Sequence, residues 1–564
     1  MKKLIAITFV TITLMTLAPS VLAQKNNPSA QPPQSATIEQ FRTLIKDKMQ
    51  KGHLVGVGAA LILGDSLVWK EGFGYADKEN KIPFTTNTAL CIGSITKPFT
   101  GMGIMQLQEK NLLNIDKPLV KYLPEFSIKT RGKDINEITI KSVLKHTSGI
   151  PNDILLNAWD DSEKYTDVVK YLKNEYQAYP ADMAVHYSNI GYSLLGHTIL
   201  KVSGEDYQNY IQDNILKPIG MNNSGFIGYS TLKNVSRTYD SIGNYFPIKY
   251  GRNTPAGGLL STIDDMVKLA QEMIAIYNGK KGGFIKPETL KMFDEINNGT
   301  IQISNCWFGW GVGTDDSNLV ITHSGSHHVA DAEIAINLKK KIAAVFLVNT
   351  EGGLELTGEA AKKVWELSGT TSADSIKQHV GLYVDTRTIH VVKFENDKLI
   401  LNSVYGNFEL KPLSNNEFLL GHIYKPDSIK WLEKPRFIFA DVKGYKLLIY
   451  QDANHQRQPL GHLENPGEIN RIWKNRLGKY KLEGQIMESA DKFSEAELLT
   501  GDNNLLLLKV FYASGEYLYN LLIENDNELI FCGFGESGGE TIRFSKENKD
   551  DLMTLYGLSM KKVL

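Results

Sequence analysis

The chain of 564 residues has little cysteine and almost no net charge. Its three cysteines, Cys91, Cys306 and Cys532, are widely spaced, so they outline neither a metal site nor a disulfide framework. A disulfide between two of them stays open in an oxidising compartment, and the sequence selects no pair. The 62 basic and 63 acidic residues give a net charge of −1, which provides no basic surface for nucleic acid or an anionic membrane. We expect neither as a partner.

Long apolar runs are also missing, except at the N terminus. Residues 1–23 start with Lys2 and Lys3, continue through an apolar or Thr-containing run, and end in the small-residue site Val21-Leu22-Ala23. This pattern is typical of a signal peptide cleaved after Ala23 and predicts a periplasmic or secreted protein; the alternative is a retained signal anchor. Gln24 follows the cut, so no lipoprotein anchor is expected, and no stable membrane anchor either.

Composition changes along the chain predict its domains. A Pro-, Gln- and Ser-rich lead-in covers residues 24–36, and Thr37 and Gln40 then form the capping box of a helix. A mixed domain covers 37–369. A Gly/Ser/Thr linker at 368–375 precedes two β-rich modules at 376–463 and 471–564.

The hydrophobic pattern of residues 37–369 predicts an α+β domain. Apolar runs at 54–63 and 66–75, separated by Gly64-Asp65, predict a β-hairpin, and strands are expected at 319–323, 332–338 and 342–348. Between these two groups the pattern is helix and loop, and a closing helix is expected at 359–367. We therefore predict an antiparallel sheet backed by terminal helices, with an all-helical lobe inserted.

The two C-terminal modules share a weak internal repeat. Four pairs of segments match in order, 381–383 with 478–480, 397–401 with 504–508, 416–419 with 527–530, and 436–439 with 541–544. Short alternating strands with Gly, Asn and Asp at the turns predict two small antiparallel barrels, joined at 464–470. Two roles stay open for these modules. They could rim the cleft and exclude long substrates, or they could bind the cell wall or a partner.

Ser94 and Lys97 form a Ser-x-x-Lys pair at the start of a predicted helix that runs to Asn111. Residues three apart lie on one helix face, and the helix start offers unpaired N–H groups to an oxyanion. A lysine can then serve as the base that activates a serine nucleophile. The same pattern occurs at Ser142 and Lys145, so by itself it could be a helix cap with a solvated lysine.

Two further triplets carry side chains suited to the same chemistry. Tyr187-Ser188-Asn189 lies at the mouth of a predicted helix, where a phenol can relay protons and an amide can bind a carbonyl. His323-Ser324-Gly325 ends a predicted strand, and Ser326 after it could offer its N–H as a second oxyanion donor.

Taken together and in this order, the three motifs resemble those of the serine β-lactamase and penicillin-binding protein superfamily. The similarity is strongest to its class C-like branch of esterases, D-aminopeptidases and DD-peptidases. Three supporting stretches, Gly72–Asp77, Leu144–Gly149 and Pro255–Thr262, match it as well. The competing Ser-x-x-Lys pair adjoins the second of these, which looks structural. The C-terminal modules resemble the barrel domains of some D-aminopeptidase-like relatives.

The resemblance implies a role for each residue. Ser94 is the nucleophile, Lys97 and Tyr187 share acid and base duty, and Asn189 orients the substrate. The N–H groups of Ser94 and Ser326 hold the oxyanion, while His323 and Gly325 line the site. Two departures matter: His323 stands where many β-lactamases have Lys, and Ser326-His327-His328 replaces a run of glycines.

We thus expect an exported serine hydrolase that cleaves amides or esters through an acyl-enzyme on Ser94. Its expected partners are small molecules or short peptides, with D-amino-acid and cell-wall compounds first and carboxyl esters next. The alternative is a penicillin-recognising binding protein, or a β-lactamase with slow or specialised deacylation. No cofactor is expected, and no metal, because no carboxylate-rich pattern accompanies His323, His327 and His328. Oligomeric state cannot be read from the sequence.

Overall fold

The computed structural model describes most of the chain between residues 34 and 563. In the first domain it covers 34–158, 160, 162–226, 232–248, 251–297, 306–314, 318–327 and 329–368. In the C-terminal region it covers the strand backbones at 391–395, 398–403, 406–412, 417–423, 436–442, 445–451 and 457–462, and then residues 469–482, 493–500, 506–512, 515–531, 540–547, 550–555 and 558–563. The predicted leader, most of the lead-in, the linker beyond residue 368, Cys532 and His328 lie outside these residues.

The first domain is built on one antiparallel sheet. Its strands, together with three short ones of a second sheet (β4 to β6), are, in chain order, β1 (Gly56–Leu63), β2 (Ser66–Asp77), β3 (Ile82–Pro83), β4 (Leu90–Cys91), β5 (Gly225–Phe226), β6 (Leu259–Ser261), β7 (Cys306–Trp307), β8 (Trp310–Thr314), β9 (Leu319–Ser326), β10 (Asp331–Asn337) and β11 (Ile342–Val348). The large sheet has the order β3-β2-β1-β11-β10-β9-β8-β7. The predicted hairpin and the three later strands are confirmed.

A two-residue turn sets the register of the β1–β2 hairpin. Leu63 pairs with Ser66, and Gly64 has a φ of +64°, a conformation that glycine adopts at little cost. At the other end of β1, Val57 pairs with Val348 of β11. The two halves of the domain, separated by more than 200 residues of mostly helical chain, therefore meet at the centre of one sheet.

The central strands are buried on both faces. In β1, Ala60 and Ile62 face the large core shared with the helical lobe, whereas Val57, Ala59 and Leu61 face the other side. Alternate residues of a strand point to opposite faces, so each strand serves both cores. Such strands read as continuous apolar runs, which is why they stand out in the sequence.

Helices cover both faces of the sheet. They are α1 (Gln34–Lys51), α2 (Thr96–Glu109), α3 (Ile140–Leu144), α4 (Val168–Leu172), α5 (Asn189–Ser203), α6 (Tyr207–Ile211), α7 (Lys217–Ile219), α8 (Thr254–Gly257), α9 (Ile263–Tyr277), α10 (Pro287–Lys291) and α11 (Leu354–Leu367). Helices α1 and α11 pack on the outer face around Phe41, Phe346 and Trp365. The others form the predicted lobe and, with α9, cover the inner face.

Two boundaries differ from the predictions. Helix α1 begins at Gln34, before the predicted cap at Thr37, and α11 begins at Leu354 rather than 359. The supporting stretch Pro255–Thr262 covers most of the short helix α8 and strand β6, which pairs with β4 beside Ser94. Cys91 and Cys306 are both buried and form no disulfide with each other.

The C-terminal modules are both antiparallel. Strands β12 (Val391–Glu395), β13 (Lys398–Ser403), β14 (Gly406–Pro412), β15 (Glu417–Ile423), β16 (Arg436–Val442), β17 (Tyr445–Gln451) and β18 (Arg457–His462) form a seven-stranded sheet in sequential order. After helix α12 (Arg471–Arg476), strands β19 (Gly478–Leu482), β20 (Phe493–Thr500), β21 (Leu506–Tyr512), β22 (Gly515–Asn525), β23 (Glu528–Phe531), β24 (Thr541–Glu547), β25 (Asp550–Leu555) and β26 (Leu558–Lys562) form a closed barrel. Three of the four repeated pairs fall on β13 and β21, β15 and β23, and β16 and β24, each eight strands apart, and residues 381–383 of the fourth pair lie outside the described residues.

Apolar side chains fill the barrel. Its core includes Trp473 of α12, together with Tyr480, Leu508 and Met553 from the strands. A small closed barrel is held together by such an interior, which leaves its outer surface and rim for contacts. Among the described helices, none combines the length and apolar character needed to cross a membrane.

Candidate functional site

Ser94 lies on a tight turn directly before helix α2. Residues Gly93–Ile95 form a 3₁₀ turn, and the α-helix begins at Thr96. The Thr96 hydroxyl donates to Gly93 O at 2.7 Å and accepts from Leu259 N at 3.0 Å, which ties the turn to β6. Gly93 has a φ of +50°, so a side chain here would strain the backbone. The turn is therefore fixed on both sides, and it presents a half-buried Ser94.

Lys97 reaches back to this serine from the first turn of α2. Its side chain is 0% exposed, and Nζ donates to Ser94 Oγ at 3.0 Å, Asn189 Oδ1 at 2.6 Å and Ala256 O at 3.0 Å. Two of these three partners can only accept. When Lys97 gives up a proton, its two remaining N–H bonds can point at these two acceptors, and its lone pair can take the Ser94 proton. This geometry suits a base.

Tyr187 and Asn189 enter the site from the start of α5. Ser188 caps this helix by accepting from Gly191 N at 2.7 Å, and its own hydroxyl donates to Pro151 O at 2.7 Å. The cap turns the neighbouring residues on either side towards Lys97. The Lys97 ammonium lies 4.5 Å from the centroid of the Tyr187 ring, a cation–π distance.

The end of β9 closes the site behind Ser94. A Cβ on Gly325 would lie 1.9 Å from Ile92 O and 3.2 Å from Ser94 N, and a Cβ on Gly93 would lie 2.8 Å from Ser326 N. The two backbones thus touch, and only glycine fits at either position. Ser326 turns its side chain to Asp331, which accepts its hydrogen bond.

His323 is two residues earlier on the same strand. Its Nδ1–H donates to Ser324 O, which leaves Nε2 as an acceptor. Burial, and then the positive charge of Lys97, lower the pKa of His323 to about 3. The imidazole is therefore neutral at pH 7 and, unlike a lysine, offers no charge to a substrate carboxylate.

All seven predicted site residues thus converge on one place: Ser94, Lys97, Tyr187, Asn189, His323, Gly325 and Ser326. The competing Ser142 does not join them. It lies in α3, where Ser142 and Thr139 cap each other's backbone N–H groups in a reciprocal capping box. Its role in the structure is that of a helix cap, as the resemblance suggested.

The structure adds residues that the motifs did not mark. Asn189 Nδ2 donates to Asp153 Oδ2 at 2.7 Å, and Asn253 Nδ2 donates to Asp153 Oδ1 at 2.8 Å. His146 accepts from Ser188 N at 3.1 Å and stacks on Tyr187 with ring centroids 4.4 Å apart. His146 belongs to the stretch Leu144–Gly149, whose similarity was the available signal, whereas Asp153 lies beyond it and had none.

His146 is also electrically neutral. Burial lowers its pKa well below the usual 6.5, and the charge of Lys97 acts in the same direction. Within the described residues, no three His, Cys, Asp or Glu side chains are arranged to hold a metal ion. The polar groups around Ser94 therefore form a hydrogen-bonded network centred on one buried amine.

Comparison with known proteins gives this geometry a context. Protein flp of Staphylococcus aureus strain MW2 is 31% identical over 207 residues, 36% of this chain and 41% of that protein. Beta-lactamase-like protein 2 of Dictyostelium discoideum is 30% identical over 266 residues, 43% of this chain and 46% of that protein. Each match thus covers less than half of the curated relative.

Solved structures share the fold at low sequence identity. The octameric penicillin-binding protein homologue from Pyrococcus abyssi aligns over 93% of this chain and 100% of its own, with a TM-score of 0.51 and 21% identity. EstCE1, a hydrolase with promiscuous acyltransferase activity, aligns over 60% of this chain and 99% of its own, with a TM-score of 0.52 and 17% identity. The family model of beta-lactamase matches residues 41–368, which hold all three motifs. The chain belongs to the beta-lactamase family of serine hydrolase-like proteins.

Proposed function

We propose that the protein is an exported serine hydrolase that cleaves esters or amides through an acyl-enzyme on Ser94. The Lys97 amine takes the Ser94 proton as Oγ bonds to the substrate carbonyl carbon. Lys97 and Tyr187 then deliver that proton to the departing alcohol or amine. A water molecule that the same groups deprotonate then attacks the carbonyl carbon of the acyl-enzyme ester. This step releases the carboxylic acid, and the proton returns to Ser94 Oγ.

The contact between Lys97 Nζ and Ser94 Oγ carries this proposal. The distance of 3.0 Å is within direct proton-transfer range, and two fixed acceptors orient the amine. The Gly325–Ser326 backbone beside Ser94 N supports the oxyanion role of the Ser94 and Ser326 N–H groups.

For substrates, we propose small D-amino-acid peptides or amides related to cell-wall material, followed by carboxyl esters. The neutral His323 argues against β-lactam antibiotics, whose carboxylate a lysine would attract. The esterase and penicillin-binding homologues among the solved structures are compatible with either substrate class. Export rests on the leader pattern, and N-terminal sequencing of the secreted protein should find Gln24 first.

Intact-mass spectrometry tests the acyl-enzyme directly. The wild type is mixed with a fluorophosphonate, and separately with a penicillin, beside Ser94→Ala and the matched control Ser142→Ala. We expect one fluorophosphonate adduct on the wild type and on Ser142→Ala, and none on Ser94→Ala. Ester and amide turnover should disappear with the same variant.

Two other results would redirect the proposal. A stable penicillin adduct without turnover would favour the penicillin-recognising alternative. Labelling and turnover that persist in Ser94→Ala would exclude Ser94 as the nucleophile.

A further inference from the structure

The closed barrel β19–β26 docks on the helical lobe through two reciprocal arginines. Arg131 of the lobe donates to Glu524 at 2.9 Å and to Thr541 Oγ1 at 3.0 Å. Arg543 of the barrel donates to Glu175 of the lobe at 2.6 Å. The barrel interior is filled by its own side chains, so these contacts are made by its outer surface.

Glu540 projects from the same barrel edge into the lobe. It is 5% exposed, and its Oε1 accepts from Asn152 N at 2.7 Å and lies 3.3 Å from His186 Nε2. Burial raises the pKa of Glu540, and its contacts with His186 and Asn152 oppose that rise. A carboxyl group is rarely buried without such partners, because its transfer from water to the protein interior costs free energy.

The first partner leads directly to Asn189. The carbonyl oxygen of Asn152 accepts from Asn189 N at 3.0 Å and from Ile190 N at 3.1 Å, which are the first residues of α5. Asn152 Oδ1 also accepts from Asn189 Nδ2 at 3.3 Å. Glu540 therefore anchors the loop that holds both the backbone and the side chain of Asn189, the acceptor of the 2.6 Å bond from Lys97.

The second partner leads to Tyr187. His186 precedes it in the chain, and His186 N donates to His146 O at 2.7 Å. The His146 ring stacks on Tyr187 and accepts from Ser188 N. Glu540 thus contacts both segments, 150–153 and 186–189, whose mutual placement determines the second motif.

We propose that Glu540 is a positioning residue, through which the barrel holds Tyr187 and Asn189 in register with Lys97. The inference rests on the proposed function, since that function assigns Tyr187 and Asn189 their work. The barrel then acts on the catalytic geometry through Asn152 and His186 of the lobe. Positioning residues of this kind act mainly on kcat, because they change the alignment of the reacting groups more than the binding of the ground state.

The test compares full-length Glu540→Ala, Glu540→Gln and Glu524→Ala with the wild type. Glu524 lies on the same docking face but contacts Arg131 instead of the second motif, so it is the matched control. With p-nitrophenyl acetate we expect Glu540→Ala to lower kcat about 100-fold with little change in KM. Glu540→Gln should recover much of this loss, since its amide oxygen still accepts from Asn152 N, and Glu524→Ala should change kcat less than about 2-fold.

Hydrogen exchange supplies a readout that does not depend on activity. Peptides covering 150–153 and 186–193 should lose protection in Glu540→Ala and keep it in Glu524→Ala. Unchanged exchange in both peptides, or equal losses of kcat in the two Ala variants, would overturn the positioning role. A wild type that no fluorophosphonate labels would instead count against the proposed function, and the exchange result would still decide the role of Glu540.

Discussion

Lys97 Nζ donates to Asn189 Oδ1 at 2.6 Å, a shorter distance than those to Ser94 Oγ and Ala256 O. The two residues are 92 positions apart, on different helices, and the bond joins the first motif to the second. An amide oxygen cannot donate, so it fixes one N–H of the amine and thereby the direction of the remaining valences. The bond to Asn189 Oδ1 therefore orients the Lys97 amine towards Ser94 before any substrate binds.

Replacing Lys97 with Met should remove this base. Without it, we expect the rate of fluorophosphonate labelling of Ser94 to fall by about 10²–10⁴-fold. The free energy of unfolding should fall by about 1–3 kcal/mol, because Asn189 Oδ1 and Ala256 O lose their donor. Quenched time courses of fluorophosphonate labelling measure the rate, and urea titrations measure the free energy of unfolding.

Ser142→Ala is the control for Lys97→Met, because it breaks the other Ser-x-x-Lys pair of the chain. Loss of the capping box at α3 should cost about 1 kcal/mol of stability. Labelling of Ser94 should keep its wild-type rate. A reversed result, with Ser142→Ala slow and Lys97→Met unaffected, would transfer the chemistry to the second pair.

Gly325→Ala should damage the site through the backbone alone. Its Cβ would meet Ile92 O at 1.9 Å, so β9 must move away from the Ser94 turn. We expect labelling of Ser94 to slow by about 100-fold, and stability to fall by about 1–3 kcal/mol.

Gly358→Ala in α11 provides the comparison for Gly325→Ala. A Cβ at this exposed helical position meets no atom within 4 Å, and alanine should raise stability by up to about 1 kcal/mol. Wild-type labelling is expected. If Gly325→Ala also labelled at the wild-type rate, the close contact between β9 and the Ser94 turn would not matter for the chemistry.

His323 should remain neutral throughout the working pH range. Its folded pKa of about 3 lies below the unfolded 6.5, so its contribution to stability is complete above pH 6.5 and declines as the pH falls towards 3. In NMR spectra assigned with His323→Gln, we expect its ring signals to stay constant from pH 9 to pH 5. If activity falls at acid pH within that range, the same fall should persist in His323→Gln. His323 ring signals that titrate near pH 6.5 would show that the folded imidazole becomes charged there and would refute the prediction.

Local patterns predicted most of the first domain. The Gly64-Asp65 turn, the apolar strands β9 to β11 and the start of α5 after Tyr187-Ser188-Asn189 are each determined within a few residues, so their signals survive in the sequence. Helix ends were less well predicted. Helix α1 begins at Gln34, before the capping box at Thr37, and because Ser35 and Ala36 of this extra turn are exposed, no apolar pattern marks it.

The residues that the sequence did not reveal are those that act across long separations. Glu540 reaches Asn152 over 388 positions, and no motif around either residue indicates the partner. Asp153 likewise lies near Asn189 only because the loop after Gly149 folds over α5. Such contacts follow from how domains dock, which composition and periodicity do not encode.

Glu333 offers a test of the sheet rather than of the site. It lies in β10 between Ser324 and Phe346, and burial raises its pKa to about 8. The folded state therefore keeps a proton that the unfolded chain releases near pH 4.5, and stability should fall as the pH rises from 4.5 to 8, by up to about 1.4 kcal/mol per unit. Above pH 8 this loss should level off.

Glu333→Gln should remove that slope, because an amide fills the same space and never ionises. Urea unfolding at pH 5, 7 and 9 should find the variant increasingly more stable than the wild type as the pH rises. Glu288→Gln, at an exposed position on α10, should follow the wild type at each pH. If the two variants behaved alike, Glu333 would have to be ionised in the folded protein, which would require a cation or water beside it on the α11 side of the sheet.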